Sequence, residues 1–136
     1  MTFIFDENFS KNLAKGLDLL EKSNPASKIP VNVISAEELM GRRGATDQEI
    51  IKAARSNSVV FTKDKDFRQI KLYGKVIEQT GVKVLFFKSS SKLIFFWDIL
   101  TAIVSDWEKI KEVLNNTVPP YVYEYDIRKG IKECHL

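Results

Sequence analysis

The sequence predicts a three-layer α/β/α domain with a mostly parallel central sheet of about five strands. Short apolar runs typical of buried strands alternate along the chain with segments whose apolar residues recur at helical spacing. No obvious linker or internal repeat divides the 136 residues, a length that suits one domain with its own hydrophobic core. We therefore expect a single domain over residues 1–125 and a C-terminal tail over residues 126–136.

Three predicted strands and the helices between them make up the first half of the chain. Residues 3–5 form an apolar run that ends abruptly in acidic residues, as a buried parallel strand does. A helical stripe of apolar residues follows, and residues 31–34 and 58–62 predict the second and third strands. Between these strands, residues 36–40 predict a short helix. Residues 46–57 predict a longer one that begins with a Thr-Asp-Gln-Glu capping box.

The second half of the chain adds two strands and a long apolar helix. A polar, partly helical stretch covers residues 67–80, and residues 82–87 give the strongest strand signal. Residues 92–115 predict a helix that is apolar on two sides, so we expect the core to cover one side and a homodimer or partner interface the other. Residues 121–125 alternate with period two, which predicts a last strand at an edge of the sheet.

Composition places the chain among soluble globular proteins, with 44% hydrophobic and 29% charged residues. A single cysteine, Cys134, excludes an internal disulfide and favours a reducing compartment. The first residues do not resemble a signal peptide, and the most apolar stretch, residues 93–104, falls short of the roughly 20 residues of a membrane span. We expect a cytoplasmic protein whose net charge of +3 permits a polyanionic partner without requiring one.

Aspartates occur where the predicted strands end. Asp6 follows the first strand, Asp64 and Asp66 follow the third, and Asp47 lies in the first turn of the helix between the second and third strands. Ligands of parallel α/β sheets bind beyond the carboxyl ends of the strands, so these acids are expected to converge. Clustered carboxylates repel one another unless a cation neutralises them, and oxygen ligands without His or Cys select Mg²⁺ or Mn²⁺. The sequence therefore predicts a metal site suited to phosphodiester hydrolysis.

Each aspartate also has a purely structural interpretation. Asp6 can cap the first helix, and the helix dipole favours Asp47 at its position. Asp64 and Asp66 can belong to a solvated charged turn. The metal interpretation is preferred because three separate segments each place an acid at the same predicted edge of one sheet.

Three sequence blocks, taken in order, resemble a small PIN-like family. They are Phe5-Asp6-Glu7-Asn8-Phe9, Gly44-Ala45-Thr46-Asp47-Gln48-Glu49-Ile50 and Val59-Val60-Phe61-Thr62-Lys63-Asp64-Lys65-Asp66-Phe67. The resemblance spans residues 3 to about 87, while the apolar helix and the Tyr-rich strand after residue 91 are less typical. It implies a PIN-type fold and Mg²⁺- or Mn²⁺-dependent ribonuclease activity. The metal ligands that it implies are Asp6, Asp47, Asp64 and Asp66.

Membership of the DUF5615-like, toxin–antitoxin type of this family would imply a toxin that a small antitoxin protein inhibits. Around the implied ligands, Glu7, Asn8 and Glu49 are candidates to orient waters or ligand side chains, although Glu49 also serves the capping box. Basic residues bracket the acids and are candidates to hold the phosphates of RNA. They are Arg42, Arg43, Lys63, Lys65 and Arg68.

Two other classes of function remain open at this stage. A catalytically inactive PIN-like module would bind a partner protein through the apolar helix and show no affinity for Mn²⁺. A receiver-like phosphoacceptor domain would use Asp64 as acceptor and Lys88 as its lysine, and acetyl phosphate would label it. Asp47 and Asp66 are surplus to the phosphoacceptor chemistry, so the nuclease interpretation is preferred to it.

Overall fold

A parallel sheet with helices on both faces organises the chain in the computed structural model, as the sequence predicts. The structure describes residues 1–64, 68–88, 96–116 and 122–133, apart from the side chains of residues 64 and 68–73. The described strands are β1 (Thr2–Phe5), β2 (Asn32–Ser35), β3 (Ser58–Asp64), β4 (Lys83–Lys88), β5 (Val122–Asp126) and β6 (Gly130–Glu133). The described helices are α1 (Lys11–Lys22), α2 (Ala36–Met40), α3 (Asp47–Ala53), α4 (Arg68–Thr80), α5 (Phe96–Ser105) and α6 (Trp107–Asn116).

The strand order fixes where a ligand can bind. The described strands form one sheet in the order β2-β1-β3-β4-β5-β6, in which the first five are parallel and β6 is antiparallel to β5. From β1 the chain moves outward to β2, then returns past β1 to β3 and continues in the opposite direction. The connections that leave β1 and β3 therefore diverge, which opens a crevice beyond the carboxyl ends of these two strands.

Apolar side chains cover both faces of the sheet, which explains why the central parts of β1, β3 and β4 are apolar. On β1, Phe3 and Phe5 pack with α1, α5 and α6, whereas Ile4 packs with the helices of the opposite face. Strand β3 repeats this alternation, with Phe61 on the first face and Val60 on the second. On β1 and β3 the polar residues thus lie at the strand ends, where the candidate site lies.

The connection from β4 to β5 is unusual in its hand. Helix α1 and the α5–α6 pair share a face, but their connections run in opposite directions along the strand order. The β4–β5 connection therefore has the hand opposite to that of the other three connections between parallel strands, although such connections usually share one hand. Trp107 of α6 packs edge-on against Phe3 at 5.5 Å between ring centroids. The two helices thus cover the part of this face that α1 leaves open.

The predicted helix over residues 92–115 is two helices, and residues 92–95 lie outside the described residues. A turn at Asp106 separates α5 from α6, and the Asp106 carboxylate accepts a 2.6 Å hydrogen bond from the Tyr125 hydroxyl. The turn explains the two apolar sides, because it redirects the chain so that different residues of α5 and α6 face the core. Phe96 and Trp97, at the start of α5, remain exposed, Trp97 to 70%.

The prediction of an edge position for the last strand was wrong, because β5 lies between β4 and β6. Residues 130–133, assigned to the C-terminal tail from the sequence, pair with β5 as the short strand β6. Asp126 closes the intervening turn by accepting a 2.8 Å hydrogen bond from the Arg128 N–H. Gly130 follows at a φ of +82°, a left-handed conformation that favours glycine. Two of the four residues of β6 are charged, so its residues show little of a strand pattern.

Helix α3 ends at Ala53, about one turn before the predicted end near residue 57. Asn57 adopts a φ of +70°, which directs the chain from the helix into β3. Within the described parts of the chain, no helix combines the length and the apolarity needed to cross a bilayer.

Candidate functional site

Asp6 lies at the carboxyl end of β1, beside the crevice between β1 and β3. Its N–H donates to the Phe61 carbonyl at 2.9 Å, so the pairing of the two strands continues through Asp6. The residue is only 3% exposed, and its Oδ1 accepts a 3.0 Å hydrogen bond from the Asn8 N–H. Its Oδ2 is buried without a hydrogen bond of ordinary geometry from the described residues. A buried carboxylate oxygen without a partner is costly, and a cation would supply the missing contact.

The electrostatic surroundings of Asp6 support the same conclusion. Burial raises the pKa of the Asp6 carboxyl from 3.8 to about 6, and the negative charge of Asp47 contributes to the rise. The Thr62 hydroxyl and Asn8 act in the opposite direction but do not offset it. Asp6 and Asp47, which are 41 positions apart, thus lie close enough to repel each other. A divalent cation stabilises the ionised form of two carboxylates that lie this close together.

The loop between α2 and α3 brings Asp47 to this position. Gly41 ends α2 at a φ of +70°, and Gly44 turns the chain again at +81°. The Glu7 carboxylate accepts a 2.6 Å hydrogen bond from the Gly44 N–H, which ties the loop to the end of β1. As predicted, the Thr46 hydroxyl caps α3 by accepting from the Glu49 N–H at 3.2 Å. Asp47, the first residue of α3, is held by these contacts near Asp6.

Replacement of Glu7 by alanine should release this loop. We expect the hydrogen of the Gly44 amide to exchange about tenfold faster or more. A hydrogen bond to a charged acceptor contributes roughly 1.5–3 kcal/mol, and because this one is exposed we expect a value near the lower end of that range. Hydrogen exchange followed by NMR measures the change. Glu7→Gln, which keeps an oxygen acceptor, should retain most of the protection. Equal exchange of the Gly44 amide in the wild type and in Glu7→Ala would show that Glu7 does not hold the loop.

Of the other two aspartates of the predicted site, the structure describes only the backbone of Asp64. Thr62 follows the Phe5–Phe61 pair in the register and so lies opposite Asp6, and residue 64 is two positions further along β3. The side chain of Asp64 and the whole of Asp66 lie outside the described residues. In the part of the chain that is described, no three Asp, Glu, His or Cys side chains come together as a metal-binding group. There, the predicted site is represented by Asp6 and Asp47.

The remaining predicted site residues have contacts of their own. The Arg42 guanidinium forms an ion pair with the Glu49 carboxylate, and Arg43 lies 3.9 Å from the Glu37 carboxylate. The Lys63 ammonium lies over the Phe9 ring, 5.2 Å from its centroid. The Asn8 side chain is exposed beside Asp6. The Arg68 side chain and Lys65 lie outside the described residues.

The structure adds polar residues that the sequence analysis did not assign to this edge of the sheet. Glu124 and Asp126 of β5 are buried, and Glu124 lies 3.3 Å from the ammonium of Lys88, at the end of β4. They lie two strands away from β3, which corresponds to about 10 Å. The sequence signal was the alternation Tyr-Glu-Tyr-Asp, in which every second residue of a strand is acidic. Because Glu124 engages Lys88, the lysine has a structural role apart from any phosphoacceptor chemistry.

The fold and the Asp6–Asp47 pair define an α/β protein with an acidic site at the carboxyl edge of a parallel sheet. Comparison with known families matches residues 1–89 to the PIN like domain, and the chain belongs to this PIN-like domain family. The match runs from β1 through β4 and ends before α5. Neither the curated proteins nor the solved structures contain a match to the chain. Membership places the protein in a superfamily of nuclease type, whose members typically use divalent metals.

Proposed function

We propose that this protein is a metal-dependent endoribonuclease. The observation that carries the proposal is the buried Oδ2 of Asp6, which lacks a hydrogen bond of ordinary geometry from the described residues and lies near Asp47 at the carboxyl edge of the sheet. Membership in the PIN-like family supports phosphodiester hydrolysis as the chemistry of this site. The phosphoacceptor and inactive-module alternatives have no comparable support.

The residues present fit a hard divalent cation. Asp6 and Asp47 would hold Mg²⁺ or Mn²⁺ through carboxylate oxygens, with Asp64 and Asp66 as the further ligands. When bound, such an ion acidifies a coordinated water and offsets negative charge on the phosphate. Glu7 positions Asp47 through the Gly44 loop, and Asn8 and Glu49 adjoin the ligands.

The residues of the chain then act on the substrate as follows. Lys63 and Arg43 hold phosphates on either side of the scissile bond, and Arg42 and Arg68 extend this basic border. A carboxylate of the site accepts the proton of the attacking water. The water oxygen bonds to phosphorus in line with the bond to the 3′ oxygen, which breaks as that oxygen takes up a proton. The products carry 5′-phosphate and 3′-hydroxyl ends.

We further propose a biological setting in the cytoplasm, as the toxin of a toxin–antitoxin pair. Its inhibitor would be a small antitoxin protein. The exposed apolar residues of α5, Phe96 and Trp97 among them, provide a surface for a homodimer or for that partner.

Cleavage of single-stranded RNA in the presence of Mn²⁺ tests the proposal. We expect EDTA to abolish cleavage. Loss of a residue that only orients a metal ligand typically reduces activity roughly 10–100-fold. Because Asp64 is proposed as a ligand itself, Asp64→Asn should reduce the rate of cleavage by more than this. Asp98→Asn, in helix α5, is the matched control and should cleave like the wild type. Cleavage that persists in EDTA or in Asp64→Asn would refute the site. Labelling of the protein by acetyl phosphate would support the phosphoacceptor alternative instead.

A further inference from the structure

Strand β2 forms one edge of the described sheet and borders a large groove. The groove has a volume of about 960 Å³ and lies between α1 and α2. Lys11 and Lys15 line the α1 wall, and Glu37 and Glu38 line the α2 wall. The groove is far larger than one side chain requires, and residues 32–35 of the edge strand line it.

On the free edge of β2, a side-chain hydrogen bond already replaces one of the backbone hydrogen bonds that a neighbouring strand would make. The Asn32 N–H donates to the Met1 carbonyl at 3.1 Å, so the backbone of the next residue, Val33, points away from β1. The Val33 N–H donates to Asp18 Oδ1 at 2.9 Å, and the Lys22 ammonium holds Asp18 Oδ2 at 2.7 Å. A side-chain carboxylate thus occupies the position that a peptide carbonyl would take in an added strand.

The two walls of the groove differ in charge. Helix α1 lies on one face of the sheet and α2 on the other, so the lysines and the glutamates face opposite sides of any strand that extends the sheet. Successive side chains of a strand point to opposite faces. A complementary strand would therefore carry acidic residues at alternate positions, toward α1, and basic residues between them, toward α2.

We propose that this groove binds an extended peptide segment of a partner protein, which adds to β2 as a further strand and carries alternating acidic and basic residues. Main-chain hydrogen bonds to the edge would supply affinity, and the charged walls would select the sequence. The proposal is independent of the nuclease function.

Two other occupants fit the groove less well. A nucleic acid would need a basic surface, but the three lysines of the lining are matched by three acids, Asp18, Glu37 and Glu38. In an antiparallel pairing of β2 with a second copy, the two-fold axis would be perpendicular to the sheet. That symmetry keeps equivalent faces on the same side, so the lysines of one α1 would meet those of the other and repel them.

A pair of synthetic peptides tests the proposal on the whole chain by NMR. One peptide of about seven residues alternates Glu and Lys, a length that matches a typical strand. The other has the same composition with the acidic and basic residues in separate blocks. We expect the alternating peptide to shift the Val33 and Ser35 amide resonances and to slow their hydrogen exchange, and the block peptide to bind at least tenfold more weakly. Equal binding of the two peptides, or of neither, would overturn the proposal.

Charge reversal on the α1 wall gives a second measurement. Lys11→Glu combined with Lys15→Glu should weaken the alternating peptide about tenfold, because each exposed ion pair contributes modestly and the new charges repel it. Both lysines are exposed, so the variant should keep the wild-type melting temperature. Asp18→Ala should bind several-fold more tightly, since no carboxylate competes for the Val33 N–H. Amide shifts at β2 caused by a single-stranded oligonucleotide, or by raising the protein concentration alone, would overturn the proposal in favour of nucleic acid or of self-pairing.

Discussion

Asp6→Asn is expected to abolish RNA cleavage and, at the same time, to raise the free energy of unfolding of the metal-free protein. The two effects have one cause. The carboxylate is buried, one of its oxygens has no hydrogen bond of ordinary geometry from the described residues, and Asp47 lies nearby, so its charge is unfavourable without a cation. Asparagine keeps an oxygen that can accept the Asn8 N–H but carries no charge, so the turn at the end of β1 is preserved.

The stabilisation of the Asp6→Asn variant should depend on pH in a defined direction. The pKa of Asp6 is about 6 in the folded protein, above the ordinary value of 3.8. The wild-type carboxyl therefore contributes its full stability below pH 3.8 and loses it as the pH rises through about 6. The shift corresponds to a loss of stability of roughly 3 kcal/mol at pH 8 and of well under about 1 kcal/mol at pH 4. Urea unfolding in EDTA at these two pH values measures the difference between the variant and the wild type.

Mn²⁺ and a second aspartate provide the controls for this experiment. Mn²⁺ should raise the melting temperature of the wild type but not that of Asp6→Asn, because a ligand that binds only the folded state stabilises it. Asp18→Asn should cleave RNA normally and be less stable than the wild type. Although burial acts to raise the pKa of Asp18, the hydrogen bonds from Lys22 and Val33 lower it overall. An Asp6→Asn variant that cleaves RNA normally would leave Asp6 with the structural role of a turn cap.

The parts of the fold that were predictable from the sequence depend on local patterns. The parallel strands are short apolar runs because both faces of the sheet are covered, and they end where the backbone leaves the core. Asp6 could be placed at such an end from the run Phe3-Ile4-Phe5 alone. The rule that parallel strands present their carboxyl ends at one edge then linked Asp6 to Asp47, and the structure places the two acids near each other.

The features that were not predictable depend on contacts between distant residues. The hydrogen bond from the Gly44 N–H to Glu7 spans 37 positions, and the break at Asp106 is accompanied by a bond from Tyr125, 19 positions away. Strand β6 depends on its pairing with β5, and among its residues only Ile131 packs against the core. A helical pattern likewise gives no reason to expect a lysine in the core, yet Lys111 is fully buried. Such contacts leave no periodic signal in the sequence.

Lys111→Met is expected to cause the largest loss of stability among single substitutions at charged residues of the described chain. The Lys111 ammonium is 0% exposed and lies 2.9 Å from Glu21 Oε1 and 3.0 Å from the Ser27 hydroxyl. Trp107 Nε1 donates to Glu21 Oε2 at 2.5 Å, so the ion pair joins α1 to α6 across 90 positions of sequence. Burial alone lowers the pKa of Lys111, but its partners outweigh that effect and hold the pKa above the ordinary 10.5.

Removal of the ammonium leaves the Glu21 carboxylate buried without its countercharge, which should cost about 3–5 kcal/mol in urea unfolding at neutral pH. The cost should shrink as the pH falls toward about 4, because a lone buried carboxylate can then take up a proton. Glu21→Leu combined with Lys111→Met should recover most of the loss, since it replaces both charges with apolar groups. Glu108 is 66% exposed, so Glu108→Gln should change stability by less than about 1 kcal/mol. A loss below about 1 kcal/mol in Lys111→Met would mean that water reaches Glu21, and that α1 and α6 are held together by apolar packing alone.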